Sequence, residues 1–214
     1  MDVWLNATLI LTVLLGLFIA GTNRLGTMIK LFGVQSVILG LVPFLMYSSE
    51  IEVYIVIVCL AAIVLRGILM PYFLFWAIRH VSVRSEVNPL IGFSTMLFLG
   101  GFSIAGSFIL SSRLVFPGKI ISDMVIPTSF SLILVGLLII VGRTKAISQV
   151  VGYLVMENGI FIFAMLLLKK MPILVEMGIL LDLFVAALVM GIVVNHISDE
   201  FKNTDTIQLT TLKD

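Results

Sequence analysis

Residues 146–196 read AISQVVGYLVMENGIFIFAMLLLKKMPILVEMGILLDLFVAALVMGIVVNH and decide the fold. They form two long apolar stretches, separated by Lys169, Lys170 and the helix-breaking Pro172. A helix rises about 1.5 Å per residue, so one over residues 144–169 is just long enough to cross a bilayer. The stretch therefore predicts two membrane-spanning helices placed back to back.

Each of the two stretches carries an acid near its middle, Glu157 in the first and Asp182 in the second. An ionised carboxylate at that depth costs at least about 3 kcal/mol, so acids are rare there unless they have a function. Both acids are therefore candidates for proton or cation transfer.

The composition of the whole chain agrees with a membrane protein. Of its 214 residues, 60% are hydrophobic and only 12% are charged, whereas a soluble domain carries about 25% charged residues. The mean hydropathy is +1.22. A net charge of +1 argues against a basic nucleic-acid-binding face. The single cysteine, Cys59, excludes an internal disulfide.

We predict an all-α, polytopic membrane protein with seven transmembrane helices. The division we expect is a four-helix segment over residues 1–118, a three-helix segment over 119–197 and a short cytoplasmic tail over 198–214. Basic residues set the orientation, because cytoplasmic loops carry more of them. With the N-terminus outside and the C-terminus cytoplasmic, eight basic residues face the cytoplasm and four face the opposite side.

The connecting loops are short, and they contain no glycine-rich phosphate loop, no clustered His and Cys ligands and no Ser-His-Asp arrangement. We therefore expect no active site, cofactor or metal in this chain. A third ionisable residue in an apolar stretch, Arg66, precedes Pro71 by five residues, and the proline predicts a kink beside the arginine. Arg66 either forms a structural ion pair with Glu157 or Asp182, or tunes the proton affinity of a neighbouring acid.

Polar residues accompany Glu157. Gln149 and Tyr153 lie on the helix face of Glu157, and Asn158 follows it. This stripe predicts a path for ordered water, whereas the alternative is a buried, neutral glutamic acid that is hydrogen-bonded to a neighbouring helix.

Asp182 has small residues one turn before and after it, Gly178 and Ala186, which let a neighbouring helix approach closely. Glu176 is a further relay candidate, or else a solvated acid at the membrane interface. If their helices pack together, Arg66, Glu157 and Asp182 form a lateral row of titratable groups in the membrane plane.

The last three spans carry the motif Gly152-Tyr-Leu-Val-Met-Glu157-Asn-Gly159. They resemble the K-type subunit of NADH-quinone oxidoreductase (complex I) and the C subunit of multi-subunit cation/proton antiporters. In the K-type alignment the glutamate falls near Leu154, so Glu157 is displaced by about one turn. With four further N-terminal spans and with Arg66 and Pro71 in the third, the chain resembles component E of hydrogenase-4-type formate hydrogenlyases.

This resemblance implies a membrane-arm subunit, in the cytoplasmic membrane of a prokaryote, that relays protons laterally near the midplane. Its implied partners are antiporter-like membrane subunits, a quinone-module-like membrane subunit and a peripheral redox arm that holds nickel-iron and iron-sulfur centres. The implied relay residues are Glu157, Asp182, Arg66 and Glu176, with Tyr153, Gln149 and Asn158 in support.

Other functions stay open. The chain could be a non-conducting assembly scaffold, in which the charged residues only form ion pairs between packed helices. It could also be a subunit of a multi-subunit cation/proton antiporter, which would use the same residues. A solitary secondary transporter is disfavoured because the spans do not divide into paired inverted repeats. A retinal-type receptor needs a lysine in the seventh span, and residues 172–196 contain none.

Overall fold

A computed structural model describes residues 2–46, 56, 59–60, 62–80, 91–114, 122–167, 178 and 181–191. Its regular elements are helices. In chain order they are α1 (Asp2–Gly21), α2 (Leu25–Gly40), α3 (Val42–Met46), a π-helix (Ile63–Leu69), α4 (Met70–His80), α5 (Phe93–Arg113), α6 (Val125–Gly142), α7 (Ala146–Leu167) and α8 (Leu181–Gly191).

Five stretches within the described part of the chain are long and apolar enough to cross a membrane. They are Val3–Gly21, Leu25–Leu45, Phe93–Arg113, Val125–Gly142 and Ala146–Met165. The predicted all-α class is therefore confirmed. The count of seven spans, the orientation and the division at residue 118 stay predictions.

The core lies between α1, α2, α6 and α7, and its fully buried side chains include Leu9, Met28, Leu132 and Val155. In contrast, α5 buries only Met96, Gly100 and Ser107 and leaves large apolar side chains such as Phe98 and Phe102 exposed. An apolar helix surface of this kind faces lipid or another membrane protein.

Helices α6 and α7 approach each other through glycines. A Cβ atom at Gly136 would lie 2.5 Å from the backbone nitrogen of Met156 and 2.7 Å from the carbonyl oxygen of Gly152. At Gly159 it would lie 2.7 Å from the carbonyl oxygen of Ser129. These are backbone contacts that no side-chain movement relieves, so the depth at which α7 holds Glu157 is fixed by small residues.

Arg143, directly after α6, joins two loops. Its guanidinium donates to the carbonyl oxygens of Ala20 at 2.7 Å and Thr22 at 2.8 Å and to the side-chain oxygen of Asn23 at 3.2 Å. The side chain is 1% exposed, and this burial lowers the pKa of Arg143. The loops after α1 and after α6 therefore lie on the same side of the helix bundle.

We expect Gly136→Ala to lower the free energy of unfolding of the protein by about 1–3 kcal/mol, because the new methyl group would press on the backbone of α7. The matched control is Gly106→Ala in α5, where a Cβ atom has no neighbour within 4 Å. The control is expected to be neutral or slightly stabilising, since alanine favours helix more than glycine does. Detergent-titrated unfolding of the full chain measures both, and equal effects would contradict the close packing of α6 on α7.

Candidate functional site

The π-helix that carries Arg66 follows from the proline beyond it. Pro71 has no N–H group, and its ring crowds the carbonyl of Gly67, four residues earlier. The helix turns before the proline are therefore wider than those of an α-helix. In them the N–H of Met70 donates to the carbonyl oxygen of Leu65, five residues back. The local distortion predicted beside Arg66 is thus a π-helix, an element that often occurs at functional sites.

Arg66 meets both predicted acids. Its Nη2 lies 2.7 Å from Oε1 of Glu157, and its Nε lies 3.2 Å from Oδ2 of Asp182. The three residues are 6%, 2% and 5% exposed. The π-helix, α7 and α8 therefore bring one cation and two carboxyl groups together inside the protein, and we refer to Arg66, Glu157 and Asp182 as the charged triad.

Two further residues enclose the guanidinium. Its carbon lies 4.7 Å from the centre of the Phe161 ring, one turn after Glu157 on the same helix face, which adds a cation–π contact. On another side lies Gly178, where a Cβ atom would be 2.8 Å from Nη2 of Arg66. The small residue predicted to let a helix approach Asp182 thus also leaves room for the arginine.

The charged triad has spare hydrogen-bonding capacity. Within the described residues, Nη1 of Arg66, Oε2 of Glu157 and Oδ1 of Asp182 are buried and have no hydrogen-bond partner. With both acids ionised, the triad holds one excess negative charge beside a single guanidinium. It can therefore take up one proton while the arginine keeps its charge and an acidic partner.

Asn158 points away from the triad, towards α2. Its amide nitrogen lies 3.3 Å from the hydroxyl of Ser36 and 3.5 Å from the side-chain oxygen of Gln35, whose own amide nitrogen donates to the carbonyl oxygen of Thr12 at 2.8 Å. This buried chain of polar groups links α7 to α2 and α1. Asn158 therefore orients the helix that carries Glu157.

The other predicted residues lie in different places. Gln149 donates its amide to the carbonyl oxygen of Arg143 at 2.9 Å, so it closes the turn before α7. Tyr153 is partly buried, one turn before Glu157 on its face. Glu176 lies outside the described residues. Of the predicted stripe, Tyr153 and Glu157 lie one turn apart on α7, whereas the amide of Gln149 donates to the backbone. The stripe as a path for water stays a prediction.

Phe161, Gln35 and Ser36 were missed by sequence reasoning. Gln35 gave a usable signal, since a polar amide in an apolar span needs a partner. Phe161 gave no such signal, because a single aromatic residue among many apolar residues cannot be told from one that only packs in the core. No three His, Cys, Asp or Glu side chains in the described ranges are grouped to hold a metal ion.

We expect Arg66→Met to lower the free energy of unfolding by about 3–5 kcal/mol, because it leaves two carboxyl groups buried without their cation. Adding Glu157→Gln and Asp182→Asn to the same chain removes those charges and should restore part of the loss. The control, Arg24→Met, changes an exposed arginine and should cost less than about 0.5 kcal/mol. Detergent-titrated unfolding compares them, and a loss for Arg66→Met as small as that of the control would contradict the buried ion pairs.

Comparison with known proteins gives distant relatives. An uncharacterized protein of Mycobacterium tuberculosis is 27% identical over 203 residues, which cover 94% of this chain and 92% of the relative. Hydrogenase-4 component E of Escherichia coli (strain K12) is 28% identical over 157 residues, 72% of this chain and 71% of the relative, and the Shigella flexneri protein of that name gives the same values. No protein-family model and no solved structure matches the chain. The chain is thus similar, at a distance, to hydrogenase-4 component E over 72% of its length.

Proposed function

We propose that this protein is a membrane subunit of an energy-converting hydrogenase complex and that it relays protons laterally near the membrane midplane. The similarity to hydrogenase-4 component E supports the first part. The charged triad supports the second part, since it joins Arg66, Glu157 and Asp182 inside the helix bundle.

The relay uses the spare proton capacity of the triad. A proton on Glu157 or Asp182 removes the excess negative charge of the triad, and its departure restores that charge. Because the two acids share one guanidinium, proton loss at one is coupled to proton uptake at the other. Tyr153, one turn from Glu157, offers a hydroxyl on the same face for passing protons towards one side of the membrane.

The chain would act between other subunits. Its proposed partners are antiporter-like membrane subunits on one side and a quinone-module-like membrane subunit with a peripheral redox arm on the other. The nickel-iron and iron-sulfur centres would belong to that arm, and the assembly would lie in the cytoplasmic membrane of a prokaryote. The likeness of the last three spans to complex I and antiporter subunits is part of this proposal.

A non-conducting assembly scaffold is the second candidate, and the ion pairs themselves favour it. Both acids contact Arg66 directly, and a closed ion-pair cluster also stabilises helix packing without moving protons. The two candidates differ in one respect, since a scaffold needs the cluster intact but a relay needs an exchangeable proton on it.

Association with a hydrogenase is tested by purifying the tagged chain from its own cells in mild detergent, followed by mass spectrometry and by nickel and iron analysis. We expect several large antiporter-like proteins and a nickel-bearing arm. The same membrane proteins without nickel would point to an antiporter or a complex-I-like assembly. A solitary chain would contradict both.

In the intact complex we expect Glu157→Gln to reduce redox-driven proton transport by on the order of a hundredfold, the scale of losing a proton-transfer group. Glutamine keeps the size and a hydrogen-bonding oxygen for Arg66 but cannot exchange a proton. Proton uptake into inverted membrane vesicles, driven by the hydrogenase reaction, measures the effect. Asp123→Asn is the matched control, because Asp123 is an exposed acid before α6 and lies outside the triad.

Co-purification of the partner subunits shows whether each variant still assembles. An assembled Glu157→Gln complex that transports protons at the rate of the Asp123→Asn control would rule out Glu157 as a relay group and leave the scaffold. Loss of assembly in Glu157→Gln alone would also favour the scaffold.

A further inference from the structure

A groove of about 540 Å³ opens on the surface between α2 and the segment formed by the π-helix and α4. Gly33 and Gly67, which have no side chains, line it where the two segments touch, and Pro71 and Phe75 line the side that α4 contributes. The exposed Val34 lies along its α2 edge. The groove is thus apolar along most of its length.

The groove has a direction. Contacts between Gly33 and Pro71 and between Gly26 and Phe75 show that α2 and α4 run antiparallel along it. Its lining on α2 extends from Ile29 to Ile38, nine helical steps and therefore about 14 Å. That length is close to the thickness of one leaflet of the hydrocarbon core, about 15 Å.

One end of the groove is basic. Lys30 lines it and is exposed, and the exposed residues Arg24 and Arg79 lie towards the same end, before α2 and in the last turn of α4. The sequence has no acidic residue in 22–40 or 62–80. Within the described residues no ion pair involves Lys30. This end therefore complements a negatively charged group.

The other end of the groove reaches the π-helix. Gly67 lines the groove and directly follows Arg66, which lies near the middle of its apolar stretch. The groove thus leads from a basic surface, at the depth where long side chains reach the lipid headgroups, towards the middle of the membrane.

We propose that this groove binds an anionic phospholipid, with one acyl chain along α2 and the phosphate beside Lys30. The length, the apolar lining and the position of the basic end match a lipid molecule that lies in one leaflet, with its acyl chain in the groove and its headgroup at the basic end. A helix of a partner protein fits less well, because it would need an acidic residue placed opposite Lys30, whereas an anionic phospholipid brings its own negative charge. The bound chain would pack on Gly67 and Pro71 and support the π-helix.

Native mass spectrometry of the full chain tests the proposal. The detergent-purified protein is exposed to equal amounts of phosphatidylglycerol and phosphatidylcholine with the same acyl chains. We expect the wild type to retain phosphatidylglycerol preferentially, and Lys30→Gln to weaken that binding about fivefold, the value of one basic contact to an anionic lipid. Lys30→Arg should keep the preference.

A second variant tests whether the acyl chain lies in the groove. Val34→Trp places a large side chain over the groove and should reduce the binding of both lipids. Val141→Trp is the matched control, since Val141 is 69% exposed on α6, compared with 52% for Val34, and does not line the groove. Equal binding of the two lipids by the wild type, or wild-type binding by Lys30→Gln, would overturn the proposal.

A photo-cross-linking residue at position 34 in cell membranes identifies what covers the groove in the assembled state. Cross-links to phospholipid support the proposal. Cross-links to a protein chain would show that a partner helix occupies the groove and would overturn it.

Discussion

The contact between the Arg66 guanidinium and the carboxyl groups of Glu157 and Asp182 constrains the rest of the structure. A buried charge among apolar side chains needs an opposite charge, so Glu157 and Asp182 each depend on Arg66, and Arg66 depends on at least one of them. The two acids lie 91 and 116 residues after Arg66 in sequence, so both ion pairs form only when the π-helix, α7 and α8 have packed together. Glycines at the contacts between helices allow the helix backbones to approach closely.

Helix α7 is the element on which the polar contacts converge. Three consecutive residues, each rotated by about 100° from the last, face three different neighbours. Glu157 meets Arg66, Asn158 meets Ser36 of α2, and Gly159 lies against the backbone of α6. A rotation of α7 that moved Glu157 away from Arg66 would therefore also break its contacts with α2 and α6, so the position of this acid is set by the whole bundle.

Much of this arrangement could be predicted from sequence, because a long apolar stretch in a membrane protein has few alternatives to helix. Charged residues within such stretches also stand out, and Arg66, Glu157 and Asp182 were found on that basis. Their pairing was one alternative among others, since sequence alone does not say which helices touch. Gln149 shows the same gap, since its place in the sequence does not reveal that its amide donates to the carbonyl oxygen of Arg143. Its part in a path for water stays a prediction.

The position of Arg143 has a consequence for the order in which the chain is assembled. It supplies hydrogen bonds to the end of the first helix from a residue synthesised 123 positions after Ala20. At about 5–20 residues per second, the ribosome needs roughly 6–25 s to reach it. During that time the carbonyl oxygens of Ala20 and Thr22 are left to water and lipid headgroups. The loop between the first two helices thus receives its hydrogen bonds from Arg143 only after α6 has been synthesised.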